Sequence, residues 1–300
     1  MKLADLITPI SVKEFKKLFK ERPAFEIWDT KSNIDSLFGW DDLNHILRQQ
    51  RMNSTDIMVL QNSNKVSHRK ISREVRRWSK TETQLDHEKL LAALRDGGSI
   101  RVSRVDEKSN TLETLASDIE NILSCQVTIN LYASFTSTPA LSAHADTHDV
   151  LVVQIAGKKA WEIFGFGNNK LPIRHLSTDK CPKKKSWKGE LKKGQLLFMP
   201  RGSWHKAKVE NNTPSLHLTI GFNHVMMRNF ADWLEDKLSH HSVYNKHLLG
   251  WEVEDVEDNV EEEIRDILMN KILTAGFLSQ FKKDSDKEKP DRFKIDLPKL

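Results

Sequence analysis

The feature that most constrains this chain is a series of short, alternating apolar segments between residues 99 and 222. Seven segments follow one another, separated by glycine, proline, asparagine and aspartate: SIRVSRV, CQVTINLY, HDVLVVQI, KAWEIFGF, GQLLFMP, SWHKAKV and SLHLTIGF. Successive side chains of a strand point to opposite faces, and those separating residues favour turns. The series predicts an all-β barrel or double sheet.

Helical spacing of apolar residues flanks this series on both sides. SVKE at 11–14 is a capping-box pattern, and segments 39–50 and 84–98 have the apolar spacing of amphipathic helices. Helical spacing returns at 225–240 and 256–275. We predict an N-terminal helical and strand extension over 1–99, a β barrel over 100–224 and a C-terminal helical region over 225–300. The C-terminal helices either cap the barrel or bury their apolar stripes in a homodimer, and the sequence allows both.

Composition bears on location more than on fold. Charged residues make up 30% of the 300 residues, and no apolar run approaches eighteen residues, so we expect a soluble protein without a membrane span. The N-terminal segment has no sustained apolar stretch of the kind found in signal peptides. The two cysteines fit a reducing compartment, and we expect the protein to be cytoplasmic.

One segment holds much of the positive charge. Residues 170–193 contain nine lysines and arginines against Asp179 and Glu190, a local net charge of +7. We interpret the lysine-rich part, 180–193, as a solvated loop; the alternative is an electrostatic guide for an acidic partner, including RNA. Because no aromatic-rich signature accompanies these lysines, nucleic acid ranks low among the expected partners.

Three residues have the spacing of a metal site. His144 and Asp146 lie two residues apart, so in a strand both face the same side. After the Pro-Arg-Gly turn, His205 shares the small, apolar face of its strand. Two imidazoles and one carboxylate form the facial triad that leaves three positions open on Fe(II). His148 has the same parity, but DTHD is typical of a turn, so we expect it at the mouth of the barrel.

Other polar residues point toward the same place. Lys159 can project into the barrel beside the metal, where a dicarboxylate co-substrate would balance a buried cation. Asn130 and Tyr132 share one face of their strand, as His217 and Thr219 do on theirs. Several strands thus send polar groups to one region.

Two stretches carry a resemblance to a known family: NLYASFTSTPALSAHADTHDVLVVQIAGKKAWEIFG and GQLLFMPRGSWHKAKVENNTPSLHLTIGF. They resemble the JmjC-type cupin family of Fe(II)/2-oxoglutarate-dependent oxygenases, especially the bacterial cupins related to the ribosomal oxygenases. The close resemblance covers about residues 125–225, and a weaker one extends to the N-terminal helices and the closing RFKIDLP. It implies a mainly β fold with flanking helices, a double-stranded β-helix, and the use of Fe(II), 2-oxoglutarate and O2.

The resemblance also implies residue roles. Its iron ligands, which are also the catalytic centre, are His144, Asp146 and His205. Its cofactor-binding residues are Lys159, for the far carboxylate of 2-oxoglutarate, with Asn130 and His217. Tyr132 and His148 are the expected substrate contacts. The segment TSTPALSAH lacks a glycine that relatives often have, and the C-terminal part is shorter than in the large ribosomal oxygenases, which puts their substrate and dimerisation arrangement in doubt.

The implied function is hydroxylation of a protein or peptide side chain. The alternatives are a hydroxylase of a small-molecule or peptide natural product and a metal-binding cupin without catalysis. A zinc-dependent hydrolase also uses such ligands, but no general base is evident beside them, and Lys159 would have no purpose. The triad does not distinguish hydroxylation from demethylation, because both begin with the same chemistry.

Overall fold

The computed structural model describes residues 1–49, 56–167, 180–245 and 257–287. It divides into two compact units, Met1–His224 and Val225–Leu300. The closing RFKIDLP segment and residues 170–179 of the basic segment lie outside the described residues, so the expectations for them stay predictions.

The described part of the first unit contains fourteen strands: β1 (Glu26–Asp29), β2 (Ile57–Gln61), β3 (Asn64–Lys65), β4 (Ser72–Arg77), β5 (Lys80–Leu85), β6 (Ser99–Val102), β7 (Gln126–Ser134), β8 (His144–Ala145), β9 (Asp149–Ala156), β10 (Lys158–Phe166), β11 (Trp187–Lys192), β12 (Gln195–Met199), β13 (Ser203–Lys208) and β14 (Ser215–Asn223). They form a large sheet in the order β1-β12-β9-β14-β7-β6-β2-β3, a small sheet in the order β11-β10-β13-β8, and the separate hairpin β4-β5.

The large and small sheets pack face to face around an apolar cluster. Val152, Leu197 and Met199 of the large sheet meet Trp161 and Ile163 of the small sheet. Neighbouring strands are antiparallel, which lets short turns connect them. The prediction of a mainly β, double-stranded β-helix with flanking helices is confirmed. All seven predicted strand segments contain a strand.

The opposite face of the large sheet packs against helices. The apolar cluster between this face and the helices is the outer cluster, and the one between the two sheets is the inner cluster. On β12, Leu196 and Phe198 belong to the outer cluster, while Leu197 belongs to the inner cluster. The central strand β9 is buried almost throughout because both of its faces are covered. That double burial explains why residues 150–153, VLVV, are a continuous apolar run.

The helices of the first unit are α1 (Leu3–Leu6), α2 (Val12–Glu21), α3 (Trp40–Gln49), α4 (His87–Arg95) and α5 (Asn110–Leu123). The predicted capping box is present: the backbone N–H of Glu14 donates to the hydroxyl of Ser11, and the backbone N–H of Ser11 donates to the Glu14 carboxylate at 2.8 Å. Phe15 of α2 then packs edge-on against Phe198 and Phe222, with ring centroids 5.8 and 5.9 Å away. This aromatic contact fixes α2 on the outer face.

Several elements were not expected. Helix α5 lies within the region that we predicted to alternate, and β1 to β5 lie in an extension for which we identified no individual strand.

The interpretation of residues 180–193 as a solvated loop is wrong for Trp187–Lys192, which form strand β11 paired with β10. Leu191 is fully buried in the inner cluster, and the Lys158 ammonium lies 2.9 Å from the Glu190 carboxylate. Burial of this one apolar side chain on the inner face stabilises the strand, although most of the residues around it are exposed lysines.

The described part of the second unit is helical, as predicted. It contains α6 (Met227–Ser239), α7 (Glu257–Asp266), a π-helical stretch over Ile267–Ile272, and α8 (Phe277–Lys287). Its own core comprises Val243, Val260, Ile267 and Ile272. The homodimer through these helices stays a prediction. Among the described residues, no helix combines the length and apolar character needed to cross a membrane.

Candidate active site

A cavity of about 250 Å³ opens between the two sheets of the first unit. Its walls come from both sheets and from the segment between β7 and β8. The eight residues singled out in the sequence all line it: Asn130, Tyr132, His144, Asp146, His148, Lys159, His205 and His217.

Three of these residues bring metal-binding atoms together. His144 on β8 lies directly opposite His205 on β13, and Asp146 follows β8 by one residue. The candidate ligand atoms of the three residues all lie within 4.8 Å of one another. Nε2 of His205 is 3.7 Å from a carboxylate oxygen of Asp146. The arrangement offers two imidazole nitrogens and one carboxylate to one point, the donor set of non-haem Fe(II) sites.

Hydrogen bonds orient both imidazoles. Nδ1 of His144 is 2.9 Å from the carbonyl oxygen of Ser142, and Nδ1 of His205 is 3.0 Å from that of Ser203. A carbonyl only accepts, so each Nδ1 carries the proton and each Nε2 keeps its lone pair for a metal. Burial lowers the pKa of His205, and the nearby Asp146 carboxylate offsets part of that effect. The lowered pKa favours the neutral imidazole of His205, which is the form that binds metal.

His148 lies apart from this group. It follows the end of β8 in a bend that leads into β9, and its ring lies over Gly221 of β14. A Cβ at position 221 would come within 2.8 Å of the ring, so the glycine makes room for the histidine. The expected turn before VLVVQI is present, and His148 lines the cavity without joining the cluster of metal-binding atoms.

Lys159 is the buried cation of the cavity. On β10, Lys159, Trp161 and Ile163 are buried while Lys158 and Ala160 are less so, which is the alternation expected of a strand. Only 3% of the Lys159 surface is exposed, and its ammonium donates to the hydroxyl of Ser134 at 3.0 Å. Burial lowers the pKa of Lys159 to about 7. No ion pair involving Lys159 occurs among the described residues, so an anionic ligand would be the charge partner.

His217 and Tyr132 form the adjoining wall. Their rings stack with centroids 5.1 Å apart and planes 7° from parallel. His217 is buried, its Nδ1 has no hydrogen-bond partner in the described structure, and burial together with the nearby Lys159 lowers its pKa well below the ordinary value. A neutral imidazole with an unpaired ring nitrogen beside Lys159 can hydrogen-bond to a polar ligand.

The side chain of Asn130 already has a structural partner. Its carboxamide oxygen accepts a hydrogen bond from the backbone N–H of Arg104 at 3.2 Å. The amide group therefore holds the segment after β6 while lining the cavity, and only its NH₂ group is left for a ligand.

Arg101, for which the sequence predicted no role, also lines the cavity. It lies opposite Tyr132 in the pairing of β6 with β7, with its guanidinium carbon 5.9 Å from the centre of the Tyr132 ring. Its buried Nε has no hydrogen-bond partner in the described structure. An arginine at the centre of SIRVS was a usable signal. Its neighbour, however, depends on which strand pairs with β6, and strand order cannot be read from one sequence.

Comparisons with known proteins match the part of the chain that contains the metal-binding cluster. The model of the JmjC domain family matches residues 107–230. The bifunctional lysine-specific demethylase and histidyl-hydroxylase NO66 of Dictyostelium discoideum is 25% identical over 223 residues, which are 73% of this chain and 42% of that protein. NO66 of Drosophila persimilis is 25% identical over 229 residues, 73% of this chain and 31% of that protein. The chain spans less than half the length of these relatives.

Similar folds occur among solved structures. YcfD, a ribosomal oxygenase from Escherichia coli, has a TM-score of 0.57 at 14% identity, covering 94% of this chain and 72% of that chain. Its complex with cobalt and 2-oxoglutarate has a TM-score of 0.56 at 14% identity, covering 89% and 69%. At this identity the likeness concerns the fold.

Proposed function

Because the chain carries a JmjC domain over residues 107–230, we propose that it is an Fe(II)- and 2-oxoglutarate-dependent oxygenase that hydroxylates a protein side chain. One observation carries the proposal: a two-histidine, one-carboxylate cluster and a buried lysine line the same small cavity. A metal-binding cupin without catalysis needs the first feature but has no use for the second.

His144, Asp146 and His205 would hold the iron. Their donor set matches Fe(II), and the two Nδ1 hydrogen bonds leave both Nε2 atoms available. Three protein ligands leave positions for the keto acid and for oxygen. When bound, iron and 2-oxoglutarate supply the oxidising chemistry, with succinate and carbon dioxide as by-products.

Lys159 would bind the far carboxylate of 2-oxoglutarate. Its ammonium is buried, and Ser134 holds it through a hydroxyl that also accepts a hydrogen bond from Ser99 at 2.9 Å. His217 adds a neutral hydrogen-bonding ring beside it. Asn130, through its NH₂ group, completes the proposed cofactor pocket. This assignment gives the buried cation a charge partner, which the described part of the protein does not supply.

The substrate would enter from the more exposed end of the cavity. Asp146 keeps 28% of its side chain exposed, whereas Lys159 and His217 are each 3% exposed, so the proposed metal site lies nearer to solvent than the proposed carboxylate site. Arg101, Tyr132 and His148 would contact the incoming group. The chain's own contribution there is to orient one C–H bond toward the metal and to limit water around it.

A single side chain is the substrate group that fits best. The cavity, at about 250 Å³, is smaller than the roughly 300–1,000 Å³ typical of pockets for whole drug-sized ligands, and 2-oxoglutarate would occupy part of it. The relatives point the same way: NO66 is named for histidyl hydroxylation and lysine demethylation, and YcfD is called a ribosomal oxygenase. We propose hydroxylation of a protein, with ribosomal proteins as the first candidates.

Mass spectrometry of a treated proteome tests this function. Cell extract is incubated with the protein, Fe(II) and 2-oxoglutarate, and peptides are searched for an added mass of about 16 Da, one oxygen atom. The expected result is a peptide that gains this mass with the wild-type protein and not with His205→Ala. Under ¹⁸O₂ the gain should rise to about 18 Da, because the oxygen comes from O2. If 2-oxoglutarate is consumed and no peptide changes, the protein-substrate assignment fails while the oxygenase assignment stands.

A further inference from the structure

The first unit carries a basic hairpin, β4-β5, outside the lining of the proposed active site. Among the described residues, strands β4 and β5 pair only with each other, and Trp78 and Ser79 form the turn between them. None of the hairpin residues lines the cavity that contains the metal-binding cluster. The proposed oxygenase reaction therefore does not explain the basic and aromatic residues of the hairpin.

Trp78 contributes little to the fold. It is 98% exposed, the largest exposure among the large hydrophobic side chains described. Its φ of +54° lies in the left-handed region, which is unfavourable for a bulky residue and which glycine or asparagine would adopt at lower cost. A tryptophan at this position exposes apolar surface and strains the turn, and no ring contact or hydrogen bond of Trp78 with the described residues offsets either cost. A binding role accounts for it better.

The residues around Trp78 are strongly basic. Residues 65–80 contain seven lysines and arginines against the single acid Glu74, a net charge of +6. Arg77 pairs directly opposite Lys80, a juxtaposition of like charges that destabilises a hairpin. By strand alternation and register, Arg73, Arg77 and Lys80 share one face, which also carries the acid Glu82 opposite Val75. All three are exposed, and none forms an ion pair within the described residues.

A basic hollow adjoins the base of the hairpin. Lys65, Arg69, Lys70 and Lys89 line a cavity of about 710 Å³, with Asp96 as the acid among its lining residues. Ser72, the first residue of β4, ties the two parts together. Its hydroxyl donates to the carbonyl of His68 at 2.7 Å, and its own carbonyl accepts from Lys89 at 2.7 Å. The hollow and the hairpin thus form one basic surface with an aromatic ring at its tip.

We propose that this surface binds unpaired RNA, with the cations of the hollow and hairpin on the phosphates and Trp78 stacked on a base. A positive groove and an exposed aromatic ring are the two parts that single-strand binding requires. In the lysine-rich segment at 180–193 the one aromatic residue, Trp187, is half-buried against Phe25, whereas Trp78 of this hairpin is exposed. Bases that are free to stack occur mainly in RNA loops and single strands, because duplex bases are already stacked. A single tryptophan among arginines gives less apolar area than interfacial membrane helices use.

Fluorescence anisotropy with a labelled, unstructured RNA oligonucleotide tests the proposal on the full chain. Trp78→Ala should weaken binding roughly 5- to 150-fold, the usual effect of losing one stacked base. Arg73→Gln/Arg77→Gln should weaken binding and reduce the slope of log K against log salt by about 1.4, because each phosphate contact on a single strand contributes about 0.7. Both variants change exposed side chains, so thermal unfolding and 2-oxoglutarate turnover should match the wild type.

The matched control is Lys183→Gln/Lys184→Gln, which removes two exposed cations from the other basic segment. It should leave RNA affinity nearly unchanged. Equal weakening by the control would overturn the assignment, since binding would then follow net charge alone. Tighter binding of duplex RNA, or binding of single-stranded DNA only, would also overturn it. So would Trp78-dependent binding to vesicles of anionic lipid without binding to RNA.

Discussion

The two faces of the large sheet come from the same strands and hold different kinds of residue. On β7 and β14 the side chains facing the helices are apolar and fully buried: Ile129, Leu131, Leu218 and Ile220. The side chains facing the small sheet line the cavity: Asn130, Tyr132, His217 and Thr219. The outer face supplies most of the apolar burial that stabilises the fold, while the inner face carries polar groups that cost stability.

Within a single strand, the residues that stabilise the fold are therefore different from the residues that line the proposed active site. Because alternate residues of a strand face opposite sides, a substitution at one position acts on packing and its neighbour acts on the cavity. The proposed activity therefore depends on inner-face residues that the fold does not require. The predictions below test how complete this separation is.

The largest expected effect is a loss of turnover when a metal-binding residue of the inner face is replaced. His205→Ala removes one of three proposed metal ligands and should abolish iron-dependent 2-oxoglutarate turnover, with loss of bound iron and little change in thermal unfolding. His144→Ala and Asp146→Ala should do the same. His224→Ala is the control, since this half-buried histidine does not line the cavity. Near-normal turnover in folded His205→Ala protein would reject the triad.

The largest effect on stability should come from the outer face. Phe198→Ala deletes a fully buried ring that contacts Phe15 and Phe19, and should lower the free energy of unfolding by about 3–5 kcal/mol, measured by urea denaturation. Protein that remains folded should bind 2-oxoglutarate with unchanged affinity. A parallel loss of co-substrate affinity would show that the two faces are not independent.

Lys159→Met should move stability and binding in opposite directions. Loss of the buried ammonium should weaken 2-oxoglutarate binding by about 1.5–3 kcal/mol, measured by calorimetry on metal-loaded protein. The same change should stabilise the ligand-free protein by about 1–3 kcal/mol near pH 7, because a buried unpaired cation is removed. Bound iron should be unchanged. Unaltered co-substrate affinity would assign the carboxylate to another residue.

The pH dependence of 2-oxoglutarate binding gives a second test of the role of Lys159. Burial holds the pKa of Lys159 near 7, so the ammonium form that pairs with a carboxylate is lost as pH rises above 7. Affinity for 2-oxoglutarate should fall by up to about tenfold per pH unit there, with uptake of a proton on binding. Stability of the ligand-free protein should rise from pH 7 toward 10.5, because the unfolded chain binds that proton more tightly. Lys159→Met should show neither trend.

The smallest expected effect is at His148, on the rim of the inner face. His148→Ala should leave iron stoichiometry and 2-oxoglutarate affinity intact, and should slow hydroxylation of the true substrate about 2- to 12-fold, the loss of one hydrogen bond. Gly221→Ala, whose new methyl group would displace the His148 ring, should act in the same direction. Loss of an equivalent of iron in His148→Ala would instead make this histidine a ligand.

The sequence determined the elements and the faces. Alternation located the seven strand segments and gave the inward parity of Asn130, Tyr132, Lys159, His205 and His217, because a period of two follows from strand geometry alone. The turn at DTHD separated His148 from His144 and Asp146 for the same kind of local reason. Helix α2 followed from its capping box.

Which strands are neighbours follows from the three-dimensional fold and not from local sequence. The pairing of β6 with β7 brings Arg101 to Tyr132, and the fold brings Ser134 to Lys159 across 25 residues. Strand β11 forms because Leu191 completes an apolar cluster contributed by distant strands. The exposure of Trp78 likewise depends on β4 and β5 having no third strand beside them in the described part of the chain. Such contacts join residues far apart in the chain, and local periodicity carries no information about strand order.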